Sequence, residues 1–337
     1  MPAEWERHEG TWLTWPHNRI TWPGAMLAQV ERIYARMITA LLQGERVHLV
    51  VGGPEHVRKV QRLLPRTART HRLIYHHARA VDTWIRDYGP IFVKKGPEVA
   101  FTKWIFNAWG GKYSDLARDN GVVDRLSALR DHRRWDPGIV LEGGSIDMDG
   151  QGTCLTTEQC LLNRNRNPRL DRRSLETYLK RYLGVRKVIW LKEGIEGDDT
   201  DGHVDDITRF TAPRTVVTAV EHDRSDRNHE LLDENLLLLR KATDAQGRRL
   251  RIVELPMPGR VGPARDDSPH DRLPASYANF YIGNAAVLLP VYSHANDGKA
   301  VKIMKSLFKD RKIVPIECTP LVYGLGSIHC VSQQQPL

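Results

Sequence analysis

The chain has 337 residues, with 50 Lys and Arg against 41 Asp and Glu, and a formal net charge of +9. A basic excess raises affinity for polyanions, so nucleic acid and anionic membranes are the first partners to weigh. With 41% hydrophobic residues the chain can bury a large core, which excludes disorder, and no unbroken apolar run is long enough to span a bilayer.

The N-terminus, MPAEWERHEGTWLTW, carries charges and Trp where a secretory signal needs an unbroken apolar stretch, so a cytoplasmic location is expected. Four cysteines, at 154, 160, 318 and 330, are too few and too scattered for a disulfide framework. None forms a CxxC pair, so no structural zinc is expected, and the four read as free thiols in a reducing compartment.

In chain order, 26–43 places Val30, Ile33, Tyr34, Met37 and Leu41 at helical spacing, Gly44 stops the helix, and Val47–Val51 reads as a strand. Pro54–Leu64 reads as an extra helix. A weaker helical pattern, GVVDRLSALRDH (121–132), leads to a strand at Gly138–Leu141. The helix-then-strand pattern returns at 171–183 into Val185–Leu191, at 229–243 into Leu250–Leu255, and at 296–308 into Lys312–Ile316. Further strands such as Ala286–Tyr292 complete the units.

No Gly/Ser-rich or Pro-rich linker separates two halves, so residues 1–337 are expected to form one domain of five repeated β/α modules. A doubly wound parallel sheet is the rival, and neither a GxGxxG nor a P-loop supports it. The fold class expected is therefore α/β, closed and pseudo-symmetric.

Unusual motifs follow the predicted strands: WIRDYGP (84–90), LEGGS (141–145), GDDTDGHVDD (197–206) and GLGSIHC (324–330). Sites in α/β architectures gather where such loops converge. The acidic GDDTDGHVDD lacks the bidentate Glu that an EF-hand loop requires. Read as a strand after the Gly202 turn, HVDDITRF points His203 and Asp205 one way and Val204 and Asp206 the other. A His and a carboxylate projecting together suit acid/base work on a cation.

Cys330 follows two glycines that allow a tight turn and close approach of a ligand. A lone Cys is more often a small buried hydrophobe, the reading given to Cys154, Cys160 and Cys318. In an extended segment His329 faces away from whatever Cys330 faces, so the base is expected elsewhere, with His203 the best candidate. Glu142, followed by two glycines, offers a carboxylate with open space beside it. Asp87 is either a ligand or half of an Arg86–Asp87 surface pair, which would contribute little. Acidic groups dominate this set, so the expected ligand is a small cation. A planar guanidinium fits best, since two carboxylates can hold it bidentately while Cys attacks the central carbon.

These motifs resemble those of the agmatine deiminase family, which includes a bacterial type of peptidylarginine deiminase. MPAEWERH (1–8), WIRDYGP, FNAWGGKY (106–113), LEGG (141–144), DTDGHVDD (199–206), SYANFY (276–281) and IHCVSQQQP (328–336) carry the resemblance, in order along nearly the whole chain. It implies a five-bladed pseudo-symmetric β/α propeller, the pentein fold of guanidine-modifying enzymes, with no cofactor and no metal. It further implies Cys330 as nucleophile, His203 as general acid/base, Asp87 and Asp205 as guanidinium ligands, and Glu142 as support for the His and the substrate. Trp84 falls at a substrate-side position of the family, although strand alternation would set it opposite Asp87. Many members read GGGNIHC where this chain has Leu325 and Ser327, a departure that bears on the substrate.

The activity implied is hydrolysis of agmatine to N-carbamoylputrescine and ammonia, within polyamine formation, by an enzyme that is often a homodimer. Arginine or peptidyl-arginine is the alternative substrate, and the RDDSPHD loop (265–271) is the expected shaper of the pocket mouth. A non-catalytic RNA-binding propeller is the alternative of another class. Its basic clusters, RNRNPRLDRR (164–173), DHRRWD (131–136) and GRRLR (247–251), are mixed with acids and lack a stacking aromatic motif. They read as solvated surface, so no specific nucleic acid and no membrane partner is expected.

Overall fold

The computed structural model describes residues 1–262 and 271–337. The RDDSPHD segment therefore lies outside the described residues, apart from Asp271, which pairs with Arg260.

Among the described residues, five separate sheets carry the fold. Four have three strands each: Ile91–Lys95, Glu98–Thr102 and Arg133–Trp135; Asp147–Met148, Thr153–Thr157 and Lys187–Leu191; Thr208–Ala212, Thr215–Val220 and Arg251–Pro256; and Tyr281–Ile282, Ala286–Val291 and Lys312–Glu317. In every one the first two strands pair antiparallel and the third joins parallel. A parallel partner requires a crossover, and helical segments supply it.

The remaining sheet repeats the pattern with strands from both ends of the chain. Ser332–Pro336 pairs antiparallel with His8–Thr14, which pairs parallel with Arg46–Val51 and, through that strand, Leu73–His77. The last strand of the chain thus occupies the position that the first strand of the hairpin holds elsewhere.

The helices lie where apolar spacing predicts them. Met26–Leu41 buries Val30, Ile33, Tyr34, Met37 and Leu41 on one face. Arg172–Leu183 begins at Asp171, whose carboxylate accepts from Ser174 N at 2.8 Å, and ends at Gly184 with φ 73°, a left-handed cap. Pro54–Leu63, Asn228–Lys241 and Asp297–Leu307 complete the set.

The weak pattern at 121–132 is not one helix. Val122, Val123, Leu126 and Leu129 are all buried, but Leu126 is extended (φ −83°, ψ 96°), so two short turns bury them instead. The strand that follows is Arg133–Trp135, and 138–141 contributes only a bridge between Ile105 and Val140.

Candidate active site

The third strand of each sheet is followed by a connection leading to the next sheet, and the motif residues lie in these connections. Between consecutive sheets lie Trp84–Asp87, Glu142–Gly144, His203–Asp206, Asn279 and Cys330. Four of the five are the predicted motifs. The fifth is Asn279 of SYANFY, a motif quoted above for the family resemblance and not as a site.

A cavity of about 660 Å³ opens over these loops, with Trp84, Asp87, Trp109 and Cys330 in its wall. His203, Asp205 and Glu142 lie behind that wall, and all six predicted residues are less than a tenth exposed. The structure therefore brings the whole predicted set together.

Local conformation differs from the strand reading at two loops. Asp87 lies in a single helical turn, Ile85–Tyr88, with Trp84 as its N-cap. Residues three apart on a turn share a face, so Trp84 and Asp87 line one cavity, and the conflict raised by alternation disappears. Val204–Asp206 is likewise one 3₁₀ turn and not a strand. Asp206 therefore does not point away: it accepts from Asn279 Nδ2 at 2.8 Å, beside Cys330. Arg86 and Asp87 form no surface pair, since both are buried and Arg86 turns to Glu4 at 3.2 Å.

Asp87 is held from two sides. Gly144 N donates to Oδ1 at 3.0 Å and Trp109 Nε1 to Oδ2 at 2.9 Å. Ala108 and Trp109 adopt φ of 57° and 54°, a left-handed backbone that costs non-glycine residues strain and here delivers the indole to the carboxylate. His203 Nδ1 lies 3.8 Å from Asp87 Oδ1. A Cβ built on Gly144 would sit 2.6 Å from His203 Nδ1, 2.9 Å from Asp87 Oδ1 and 3.1 Å from Asp205 Oδ2. The open space next to Glu142 is therefore the missing side chain of Gly144, and three functional groups face it.

The Cys330 sulfur receives Asn279 Nδ2 at 3.1 Å and lies 3.8 Å from Asp205 Oδ2. His329 and Cys330 do diverge, but in a turn and not a strand. The His329 ring bonds Asp205 Oδ2 through Nδ1 at 2.6 Å and Glu4 Oε2 through Nε2 at 2.9 Å. Glu142 gives Oε1 to Arg166 Nε at 2.7 Å, and Arg166 also pairs with Asp201. Glu4, Asn279, Trp109 and Arg166 were not singled out from sequence, although each lies in or beside a quoted motif.

Electrostatics split the titratable groups. Burial raises Asp87 to about 6, against the pull of His203. Burial works against ionised Asp205, but His329, His203 and Arg209 together outweigh it and hold Asp205 below the usual carboxylate range. Burial and the carboxylates of Asp205, Asp206 and Asp87 push the Cys330 thiol well up. Burial works against protonated His203, yet Asp87 and Cys160 carry it well above an ordinary imidazole. An acidic, desolvated pocket with a protonated His and a neutral thiol favours a cation over an anion.

Comparison with known proteins agrees with this chemistry. The sequence matches the Porphyromonas-type peptidyl-arginine deiminase family over residues 1–336. It is 37% identical to an agmatine deiminase of Medicago truncatula, with 100% of this chain and 96% of that protein covered. Its fold superposes on the agmatine deiminase of Enterococcus faecalis with a TM-score of 0.89, at 33% identity, covering 100% of this chain and 95% of the other. A cysteine-to-serine variant of the C. jejuni agmatine deiminase, solved with substrate bound, gives a TM-score of 0.86 at 28% identity, covering 99% and 95%. The chain belongs to the Porphyromonas-type peptidyl-arginine deiminase family.

Proposed function

We propose that this protein hydrolyses agmatine to N-carbamoylputrescine and ammonia through a covalent intermediate on Cys330. The observation that carries the reading is the convergence of His203, Asp87 and Asp205 on the space left by Gly144, with the Cys330 sulfur 3.8 Å from Asp205 Oδ2. The activity named for the Medicago truncatula and Enterococcus faecalis relatives supports agmatine as the substrate.

The chemistry follows from the groups present. The guanidinium sits against Asp87 and Asp205, whose charges offset its desolvation. Its positive charge counters the carboxylates that hold Cys330 protonated, so the thiol releases its proton to solvent as the substrate binds. The thiolate forms a bond to the guanidinium carbon, and the carbon–nitrogen bond breaks as His203 protonates the departing ammonia. Neutral His203 then takes a proton from water, whose oxygen attacks the same carbon and expels the thiolate. Glu142, anchored by Arg166, supports His203, and Trp84 packs against the substrate chain.

We further propose a single catalytic domain, 1–337, with the five sheets arranged as a pseudo-symmetric five-bladed propeller. The repeated strand pattern and the pairing of the last strand with the first support it. Four free cysteines support a cytoplasmic location, and among the described residues no helix is long and apolar enough to cross a membrane.

Arginine or peptidyl-arginine is kept as a second reading because the exposed Arg19 is among the cavity's lining residues, which suits a carboxylate tail. Ammonia release from agmatine, arginine and a peptide ending in arginine separates the readings. Turnover of agmatine, absent in Cys330→Ala while binding persists, is the expected result. Retained turnover in that variant overturns the mechanism.

A further inference from the structure

A second thiol, Cys160, lies close to His203 and Glu142 and takes no part in the reaction described above. Cys160 sits in the short turn Glu158–Leu161, where its N–H donates to Thr157 Oγ1 at 3.2 Å and its side chain is fully buried. Its sulfur, a ring nitrogen of His203 and a carboxylate oxygen of Glu142 all lie within 4.8 Å of one another. Among the described residues, Glu142 Oε2 and both ring nitrogens of His203 are buried without a hydrogen-bond partner. A buried polar atom left unsatisfied destabilises the fold unless something pairs with it. Such atoms gathered at one thiol form a set of donors ready for a ligand.

We propose that Cys160, His203 and Glu142 form a binding site for a thiophilic divalent cation of the Zn²⁺ class, and that its occupancy inhibits the enzyme.

The donor set is sulfur, nitrogen and oxygen, which suits zinc and its soft relatives and not calcium or magnesium, which take oxygen. In a tetrahedral zinc site the donors stand roughly 3.3–3.8 Å apart, given metal–ligand bonds of about 2.0–2.3 Å. With the donors all within 4.8 Å of one another, the cluster would need to contract by no more than about 1.5 Å. Arg166 holds Glu142 Oε1 and leaves Oε2 as the ligand, the role an outer partner plays in fixing a metal carboxylate. Charge balances: Cys160 and the protonated His203 each release a proton to solvent as the metal binds, and the Cys160 thiolate and the Glu142 carboxylate match a dication.

Inhibition follows from the imidazole. The metal takes the lone pair of neutral His203, so the ring can neither deliver a proton to ammonia nor accept one from water. A competing trio, Asp205, Asp206 and Cys330, is also compact. There, however, Asp205 Oδ2 is engaged by His329 and Asp206 Oδ1 by Asn279.

The test begins with binding, which needs no activity and so stands or falls separately from the deiminase reading. Zn²⁺ is titrated into Cys330→Ala protein in competition with a chromophoric chelator. One equivalent should bind, and adding Cys160→Ser should weaken it by at least about tenfold. His203→Ala on the Cys330→Ala background should do the same, which keeps the test decisive if Cys160→Ser fails to fold. Zinc inhibition of agmatine turnover in the wild type should reverse with chelator and be lost in Cys160→Ser. Loss of the bound equivalent in Cys330→Ala alone, or zinc affinity indifferent to Cys160, overturns the proposal.

Discussion

His329 Nδ1 lies 2.6 Å from Asp205 Oδ2, and Nε2 of the same ring lies 2.9 Å from Glu4 Oε2. One imidazole thus bridges two buried carboxylates. Glu4 is further held by Arg86 and Arg209, so the N-terminal segment anchors a residue that faces Cys330. Burial alone would favour a neutral Asp205, and the His329 bridge leads the contacts, with His203 and Arg209 behind it, that favour its charged form. The residue beside the nucleophile therefore acts through a carboxylate and not on the sulfur.

Removing that bridge should cost both fold and function. His329→Ala leaves Asp205 and Glu4 each short of a partner, and breaking a buried pair typically costs about 3–5 kcal/mol. His329→Gln can restore one of the two contacts and should recover part of the loss. Urea unfolding should show Ala well below Gln and Gln below wild type. Agmatine kcat/KM should follow the same order; equal kcat/KM in all three would mean that Asp205 needs no support.

Asp87 links activity to pH. Its carboxyl titrates at about 6 in the folded protein, well above its ordinary value of 3.8. Below about 6 it is neutral and no longer offsets a guanidinium, so kcat/KM should fall on the acid side with a midpoint near 6, since that ratio reports the free enzyme. In Asp87→Asn the limb should vanish and the plateau drop by about a hundredfold, the equivalent of about 3 kcal/mol. An unchanged acid limb in the variant would assign it to another group.

The same shift makes Asp87 a stability cost. A raised carboxyl destabilises the fold fully above about 6, and the penalty disappears below 3.8, where folded and unfolded forms are both protonated. Two pK units correspond to about 3 kcal/mol. Asn keeps one oxygen for Gly144 or Trp109 but not both, which gives back about 1 kcal/mol. Asp87→Asn should therefore be more stable than wild type at pH 7–8 by about 2 kcal/mol, with the gain shrinking from about pH 6 to about pH 4. Denaturation midpoints at two pH values measure this; a variant less stable at pH 8 contradicts it.

The long helices were legible because burial repeats every three to four residues, as along Met26–Leu41. The pattern at 121–132 has the same spacing but not the same backbone: Leu126 turns extended, and apolar spacing alone cannot reveal that. At the site, titratable residue types made Cys330, His203, Asp87, Asp205 and Glu142 visible. Their directions were misread where alternation was applied to single helical turns, at Trp84–Asp87 and His203–Asp206. Asn279 was passed over because an amide carries no titratable signal, although it contacts both the sulfur and Asp206. Glu4 was passed over because its partners Arg86 and Arg209 are remote in sequence.

Gly144 offers the sharpest separation of fold from function. Its φ is not in the left-handed region, so its backbone can accept alanine. A Cβ there would nevertheless sit 2.6 Å from His203 Nδ1, 2.9 Å from Asp87 Oδ1 and 3.1 Å from Asp205 Oδ2. Distances that short force the three groups apart, while the Gly144 N–H that supports Asp87 is chemically retained. Gly144→Ala should fold with a melting temperature within a few degrees of wild type, because overpacking one polar site costs about 1–3 kcal/mol. Its agmatine kcat/KM should fall by at least about a hundredfold, since an ångström of misplacement among reacting groups costs that much. Near-wild-type turnover in a folded Gly144→Ala protein would place the guanidinium somewhere other than between Asp87, His203 and Asp205.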